Sequence, residues 1–348
     1  IGTHIPIPEN VEIPNADFAF TGTFDGKGHT VSNVKITLGD DSMGVGLFGC
    51  VIGNETEQSI KALTPNNLAT NAGTPLIKNL TVNNVDVKGG FFVGGVIGEL
   101  YYGNIDNVRL TGNNRVVGSV YGNFGAIAGL VGMLYGVVEN CSAQADVIAP
   151  GEPIEGMVGI IAGGTKHAVI SGCSATGSVT ANGKSAISIG GLAGCLQDSP
   201  FIEDCTVTAT ISASGEKSFM IGGLIGHAGN YDKVNPTLIK DCAANVNITV
   251  ADSALRVGGI LGSNWYIEAF FDEVPDPSIY RIVNCTTSGA ISGNARQVGS
   301  IAGYGYDSTI TGCSSTMTWS GGTINEAGKM QTSQDDPEAI GTDYYPKE

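Results

Sequence analysis

Residues 170–194 begin Ile170-Ser171-Gly172-Cys173-Ser174-Ala175-Thr176-Gly177-Ser178-Val179 and, after a short polar connection, close with Ile189-Gly190-Gly191-Leu192-Ala193-Gly194. Nearly everything from Phe20 to Thr318 is a variant of this unit. Its first half is an apolar residue, any residue, then Asn, Asp or Gly, then Cys or an aliphatic. Before it in the chain stand Val31-Ser32-Asn33-Val34, Ile77-Lys78-Asn79-Leu80, Ile105-Asp106-Asn107-Val108 and Val138-Glu139-Asn140-Cys141. After it stand Ile202-Glu203-Asp204-Cys205, Ile239-Lys240-Asp241-Cys242, Ile282-Val283-Asn284-Cys285 and Ile310-Thr311-Gly312-Cys313. From Ile77 onward the copies lie 28 to 43 residues apart, the range in which self-similarity signals a solenoid or a propeller.

Beyond each Cys the pattern has period two, the signal of a strand. From Cys205 the alternate residues are Val207, Ala209 and Ile211, and from Cys242 they are Ala244, Val246 and Ile248. One face is small and apolar, and the other carries Ser, Thr and Asn. The second half of the unit recurs as Val93-Gly94-Gly95-Val96, Ile221-Gly222-Gly223-Leu224 and Val257-Gly258-Gly259-Ile260. Paired glycines permit positive φ and close backbone approach, so the chain can bend with both flanking apolar residues inward. The Asn/Asp/Gly position is a turn, since those residues tolerate the left-handed conformation. The expected fold is all-β: a parallel β-solenoid (β-helix) of about nine coils, right-handed by the usual crossover sense. At about 4.8 Å per coil it would be a rod on the order of 40 Å long.

The composition agrees. Gly is 52 of 348 residues and hydrophobic residues are 42%, so the chain is glycine-rich yet able to bury a core. Residues 1–19 fall outside the repeat and are expected to cap the first coil, because an open solenoid end is an unpaired sheet edge. Residues 20–319 form the solenoid, and 320–348 are a closing cap or tail. Insertions near 50–75 and 263–280 lengthen two repeats and are expected on one face. With 17 basic against 33 acidic residues the net charge is −16, which disfavours nucleic acid and anionic lipid as partners. No apolar run is long enough for a membrane span.

Of eight cysteines, six (Cys141, Cys173, Cys205, Cys242, Cys285, Cys313) share one repeat position. They read as a stacked ladder of buried free thiols. Cys50 and Cys195 each follow a Gly-Leu-x-Gly and read as packed in the same way. There is no Cys-x-x-Cys pair, no Cys/His cluster and no H-E-x-x-H, so no zinc site is expected. His167 and His227 follow glycine-rich segments and read as exposed turn residues. Gly44-Val45-Gly46-Leu47-Phe48-Gly49 matches G-x-G-x-x-G but lacks the strand and helix of a dinucleotide loop. No G-x-S-x-G elbow is present, and no calcium-loop spacing. No cofactor is expected. The richest candidate site is Trp265, Tyr266, Phe270, Phe271, Asp272 and Glu273 in the second insertion. Aromatic faces beside carboxylates suit a sugar, and the plainer reading is that the same aromatics anchor the loop to the wall.

Gly191-Leu192-Ala193-Gly194, Gly223-Leu224-Ile225-Gly226 and Gly46-Leu47-Phe48-Gly49, with the x-x-Cys-x-x-x-Gly-x-Val strand, resemble the repeats of the GLUG motif. The lead-in Phe24-Asp25-Gly26-Lys27-Gly28-His29-Thr30-Val31 is similar to the segment that opens such arrays. Phe124-Gly125-Ala126-Ile127 and Val298-Gly299-Ser300-Ile301 depart from it at the second Gly, and Val158-Gly159-Ile160-Ile161 departs further. The resemblance implies a bacterial surface or secreted protein, and the abrupt start at Ile1 is read as the expected trace of a removed leader. GLUG repeats occur in adhesin-like proteins and in non-catalytic regions of immunoglobulin A1 peptidases. The expected function is therefore a non-catalytic, adhesin-like module that binds a glycan or a host surface protein. A structural stalk and a polysaccharide-cleaving β-helix enzyme are the alternatives.

Overall fold

The computed structural model describes residues 19–53, 76–119, 125–150, 156–183, 185–186, 188–199, 201–215, 217–229, 237–252, 254–264, 280–304, 309–321 and 324. Among them every regular element is a strand, and every strand pairing is parallel. The chain is an all-β solenoid. Phe24, Ile77, Ile105, Val138, Ile170, Ile202, Ile239, Ile282 and Ile310 stand in one column through nine stacked strands. From Ile77 to Ile282 this column is buried to 2% exposure or less. Each such side chain contributes roughly 1.5–3 kcal/mol of burial.

A coil has four straight stretches. The one that begins the quoted unit runs Val169–Ser171, Ser174–Ala181, Ser188–Gly190 and Ala193–Gln197. The corner after the first stretch is the Asn/Asp/Gly position. Asn79, Asn107, Asn140, Gly172, Asp204, Asp241, Asn284 and Gly312 all have φ between 51° and 66°. The residue that follows turns inward. Cys205 Sγ lies 3.2 Å from the Glu203 carbonyl oxygen and 3.7 Å from that of Ile170 in the adjoining coil. Cys173 and Cys242 repeat the arrangement. A thiol is small enough for the corner and weakly polar enough to answer its inward carbonyls. All eight cysteines are free.

The paired glycines act by close approach rather than by positive φ, for none of them lies in the left-handed region. A Cβ on Gly222 would stand 1.8 Å from the Ile225 carbonyl oxygen, and one on Gly258 2.1 Å from that of Leu261. The backbone folds onto itself across three residues there, while Ile221 and Leu224 point into the core at 0% exposure.

Two register expectations are corrected. Phe24 pairs with Ile77, whereas Val31-Ser32 pairs with Val82-Asn83. The first copy of the unit is thus the segment beginning at Phe24, not Val31-Ser32-Asn33-Val34. The early coils have a second left-handed corner, at Asn33, Asn84 and Gly112, and it too carries Asn. Val93 and Gly94 pair with Ile127 and Ala128, so that copy is Ile127-Ala128-Gly129-Leu130 and its first Gly, not its second, is replaced. Apart from Ala19, Ser320, Gly321 and Ile324, the two terminal caps expected at 1–19 and 320–348 lie outside the described residues.

A bulged recess in a polar wall as candidate functional site

Five strands, Ser142–Ala149, Ser174–Ala181, Thr206–Ala213, Ala243–Val250 and Thr286–Ser292, stack in unbroken register to make one wall. Because strand side chains alternate, Val179, Val207, Ile211 and Ile248 enter the core, at 2% exposure or less. The intervening residues form outward columns one strand step, about 4.8 Å, apart. One column is Gln144, Thr176, Thr208, Asn245 and Ser288, and its neighbour is Asp146, Ser178, Thr210, Asn247 and Ala290. The last four strands carry no charged residue, in a chain of net charge −16. Thr208, Thr210, Asn245 and Asn247 are exposed.

This wall is interrupted at one end. Between Arg109 and Arg115 the chain has two more residues than its neighbour between Ser142 and Asp146, and one more than between Thr81 and Asp86. The extra length is taken up at Gly112-Asn113-Asn114, with Gly112 at φ 81°. Asn114, 4% exposed, replaces the lost ladder contacts. Its Oδ1 accepts from Val85 N–H at 2.8 Å, and its Nδ2 donates to the Gln144 carbonyl at 2.8 Å and to that of Gly112 at 3.3 Å. The bulge leaves a cavity of about 200 Å³ lined by Gly112, Asn113, Asn114, Arg115, Gln144, Ala145, Asp146 and Gly177. Arg115 reaches Asp86 at 3.5 Å, and Asp146 accepts from the Ser178 hydroxyl at 2.6 Å. The floor is backbone, because Gly177 has no side chain. Bulges recur where a regular sheet is adapted to a ligand.

Several other ionisable groups are buried in the structure instead. Glu99, 0% exposed, accepts from the Tyr101 hydroxyl at 3.0 Å, and burial pushes its carboxyl up to about 7. Cys50 pairs with Glu99 across the strands, and burial followed by the Glu99 charge pushes its thiol up to about 12. Cys50 and Cys195 therefore do not join the thiol ladder: they share an outward column with Glu99, Met133, Gly164 and His227. His167 and His227 are not exposed turn residues, at 3% and 7% exposure. The His167 ring packs edge-on to Tyr135 at 5.4 Å. Arg256 is 1% exposed, its guanidinium 4.7 Å from the Phe219 ring centroid and 4.3 Å from that of Tyr304.

The expected site Trp265, Tyr266, Phe270, Phe271, Asp272 and Glu273 lies outside the described residues. Among the described residues, no group of three or more His, Cys, Asp or Glu is placed to hold a metal. Nor is any helix there long and apolar enough to cross a membrane. Residue types do not mark the recess: Gly112-Asn113-Asn114 reads as an ordinary turn, and only the count of residues between neighbouring copies hints at a bulge.

The family model described as the GLUG motif matches residues 218–249 and 294–320. Each match covers most of one coil and its Cys corner, the first with the paired glycines Gly222-Gly223 and the second with Gly299-Ser300 in their place. Halomucin of Haloquadratum walsbyi is 39% identical over 98 residues, a stretch covering 25% of this chain and 1% of halomucin. The chain thus spans a very small part of that relative's length. A crystal structure of a candidate immunoglobulin A1 protease from Bacteroides ovatus aligns over 94% of this chain and 77% of its own, at 18% identity and a TM-score of 0.41. This chain carries GLUG-motif repeats, folded as stacked coils of a parallel β-solenoid.

Proposed function

We propose that this chain is a non-catalytic, adhesin-like binding module of a cell-surface or secreted protein, recognising a glycan or a host surface protein through its polar wall. The observation that carries the reading is the bulged recess opening onto four strands without charge. Exposed hydroxyls and amides there are held at fixed spacing by a rigid core, so little ordering entropy is lost on binding. The GLUG motif and the likeness to halomucin support a surface location. Glu99 does not favour an enzyme, since its carboxyl is enclosed beneath Tyr101 rather than presented to a substrate.

The test is an array of glycans and host surface proteins probed with the purified chain and with an Asp146→Lys/Thr210→Lys variant. Capture of a ligand that the variant loses, at unchanged circular dichroism, is expected. Absence of any captured ligand overturns the reading in favour of a structural stalk. Binding that survives in the variant removes the polar wall from it, and a shortened glycan on the array overturns the non-catalytic assignment.

A further inference from the structure

Resting on the reading above, we infer that the recess and the adjoining columns bind a neutral, extended β-linked polysaccharide that lies along the solenoid axis, one sugar to each coil. Spacing, charge and shape meet at this one place.

Spacing comes first. Successive outward residues in a column are about 4.8 Å apart, so two coils advance about 9.6 Å. That step is close to the disaccharide repeat of an extended β-1,4-linked chain, in which alternate sugars are flipped. The column Gln144, Thr176, Thr208, Asn245 therefore offers each successive sugar a hydrogen-bonding side chain in an equivalent place. The parallel column from Asp146 runs two residues away along each strand, about 7 Å. Between the two columns lie only Ala145, Gly177, Ala209, Val246 and Gly289, whose side chains, where present, point inward. The result is a shallow trough with polar sides, in which a sugar ring can lie over backbone and present its hydroxyls to both.

Charge selects a neutral chain. Arg115 is the cation of the recess, and it is answered by Asp86 at 3.5 Å. Asp146 stands beside it, and the chain as a whole is strongly acidic, so acidic sugars are repelled. Shape supplies the end stop. At about 200 Å³ the recess takes one sugar, and beyond it the trough continues over four further strands.

Calorimetric titration with cello-oligosaccharides and with N-acetylated chito-oligosaccharides of two to six sugars tests this, with malto-oligosaccharides as α-linked comparators. Affinity in at least one β-linked series should climb with each added sugar and level off at about five, the number of strands in the wall. Asn245→Ala should weaken pentasaccharide binding about tenfold, the weight of one hydrogen-bonding side chain, and leave the disaccharide unchanged. Equal binding of the α-linked series, affinity independent of length, or indifference to Asn245→Ala would each overturn the inference. If no oligosaccharide binds while the array captures a protein through the same wall, the inference fails and the broader binding reading stands.

Discussion

The hydroxyl of Tyr101 donates to Glu99 Oε2 at 3.0 Å within a strand, and no water reaches the carboxyl they share. Buried, with no cation paired to it among the described residues, the carboxyl is held up to about 7, against an ordinary value of 4.5. A carboxyl raised in the folded state stabilises the fold fully below its unfolded value, and that contribution is lost as pH rises through the folded one. The shift corresponds to on the order of 3 kcal/mol. Glu99→Gln should therefore match the parent in denaturant midpoint near pH 4.5 and exceed it at pH 8. Equal midpoints at pH 8 would show that the carboxyl is not buried as described.

A thiol hidden in a solenoid corner is out of reach of a bulky reagent. Six of the eight cysteines are buried, and only Cys195 and Cys313 are partly exposed. Hydrogen bonding to Cys242 and burial push Cys285 up to about 12. A chromogenic disulfide reagent at pH 8 should label at most two thiols per folded chain, and all eight in denaturant. Rapid labelling of four or more before unfolding would contradict the ladder.

The paired-glycine fold sets a steric limit. A methyl on Gly222 meets the Ile225 carbonyl at 1.8 Å. Ala128 occupies the equivalent place in one coil and is fully buried there, so the backbone can yield locally. Gly222→Ala is accordingly expected to cost about 1–3 kcal/mol, as overpacking does, and Ala128→Gly much less. Chemical denaturation of both variants checks the contrast.

Asn114 makes three hydrogen bonds that hold the bulge. Asn114→Ala leaves the buried Val85 N–H and Gln144 carbonyl without their partner, at a cost of about 2–4 kcal/mol. Amide exchange at Val85 should quicken well beyond that of Ile248, which lies in the unbroken part of the wall. Uniform quickening across both sites would mean that the side chain is not a local stitch.

Much of this architecture is legible in the residues themselves. The Asn/Asp/Gly corner, the Cys that follows it and the apolar pair around two glycines each answer a constraint that recurs in every coil, so repetition exposes them. What repetition hides is the exception. Pattern alone misaligns the first coil, because Asn33 marks a second corner with the same chemistry as the first. Cys50 and Cys195 read as packed like the ladder because type, not facing, is visible in a sequence, and a one-residue offset sends a strand side chain to the other side. The recess escaped notice for a related reason. Asn114 looks like a loop residue until its amide is seen filling a gap in the ladder. The aromatic cluster at Trp265–Glu273, which stood out by composition, is outside the residues that the structure describes.

The thiol corner also governs how such a chain can change length. Each coil pairs its strands with those of the coils on either side of it, and the corner at Asp204-Cys205 has the same conformation and inward contacts as the one at Asp241-Cys242. A cut at one corner can be rejoined at the other with matching backbone and matching core. Excision of residues 205–241 would remove one whole storey and leave its neighbours to close upon each other, as nearest-neighbour stacking allows. Unequal recombination at such corners would therefore shorten or extend the rod by whole storeys.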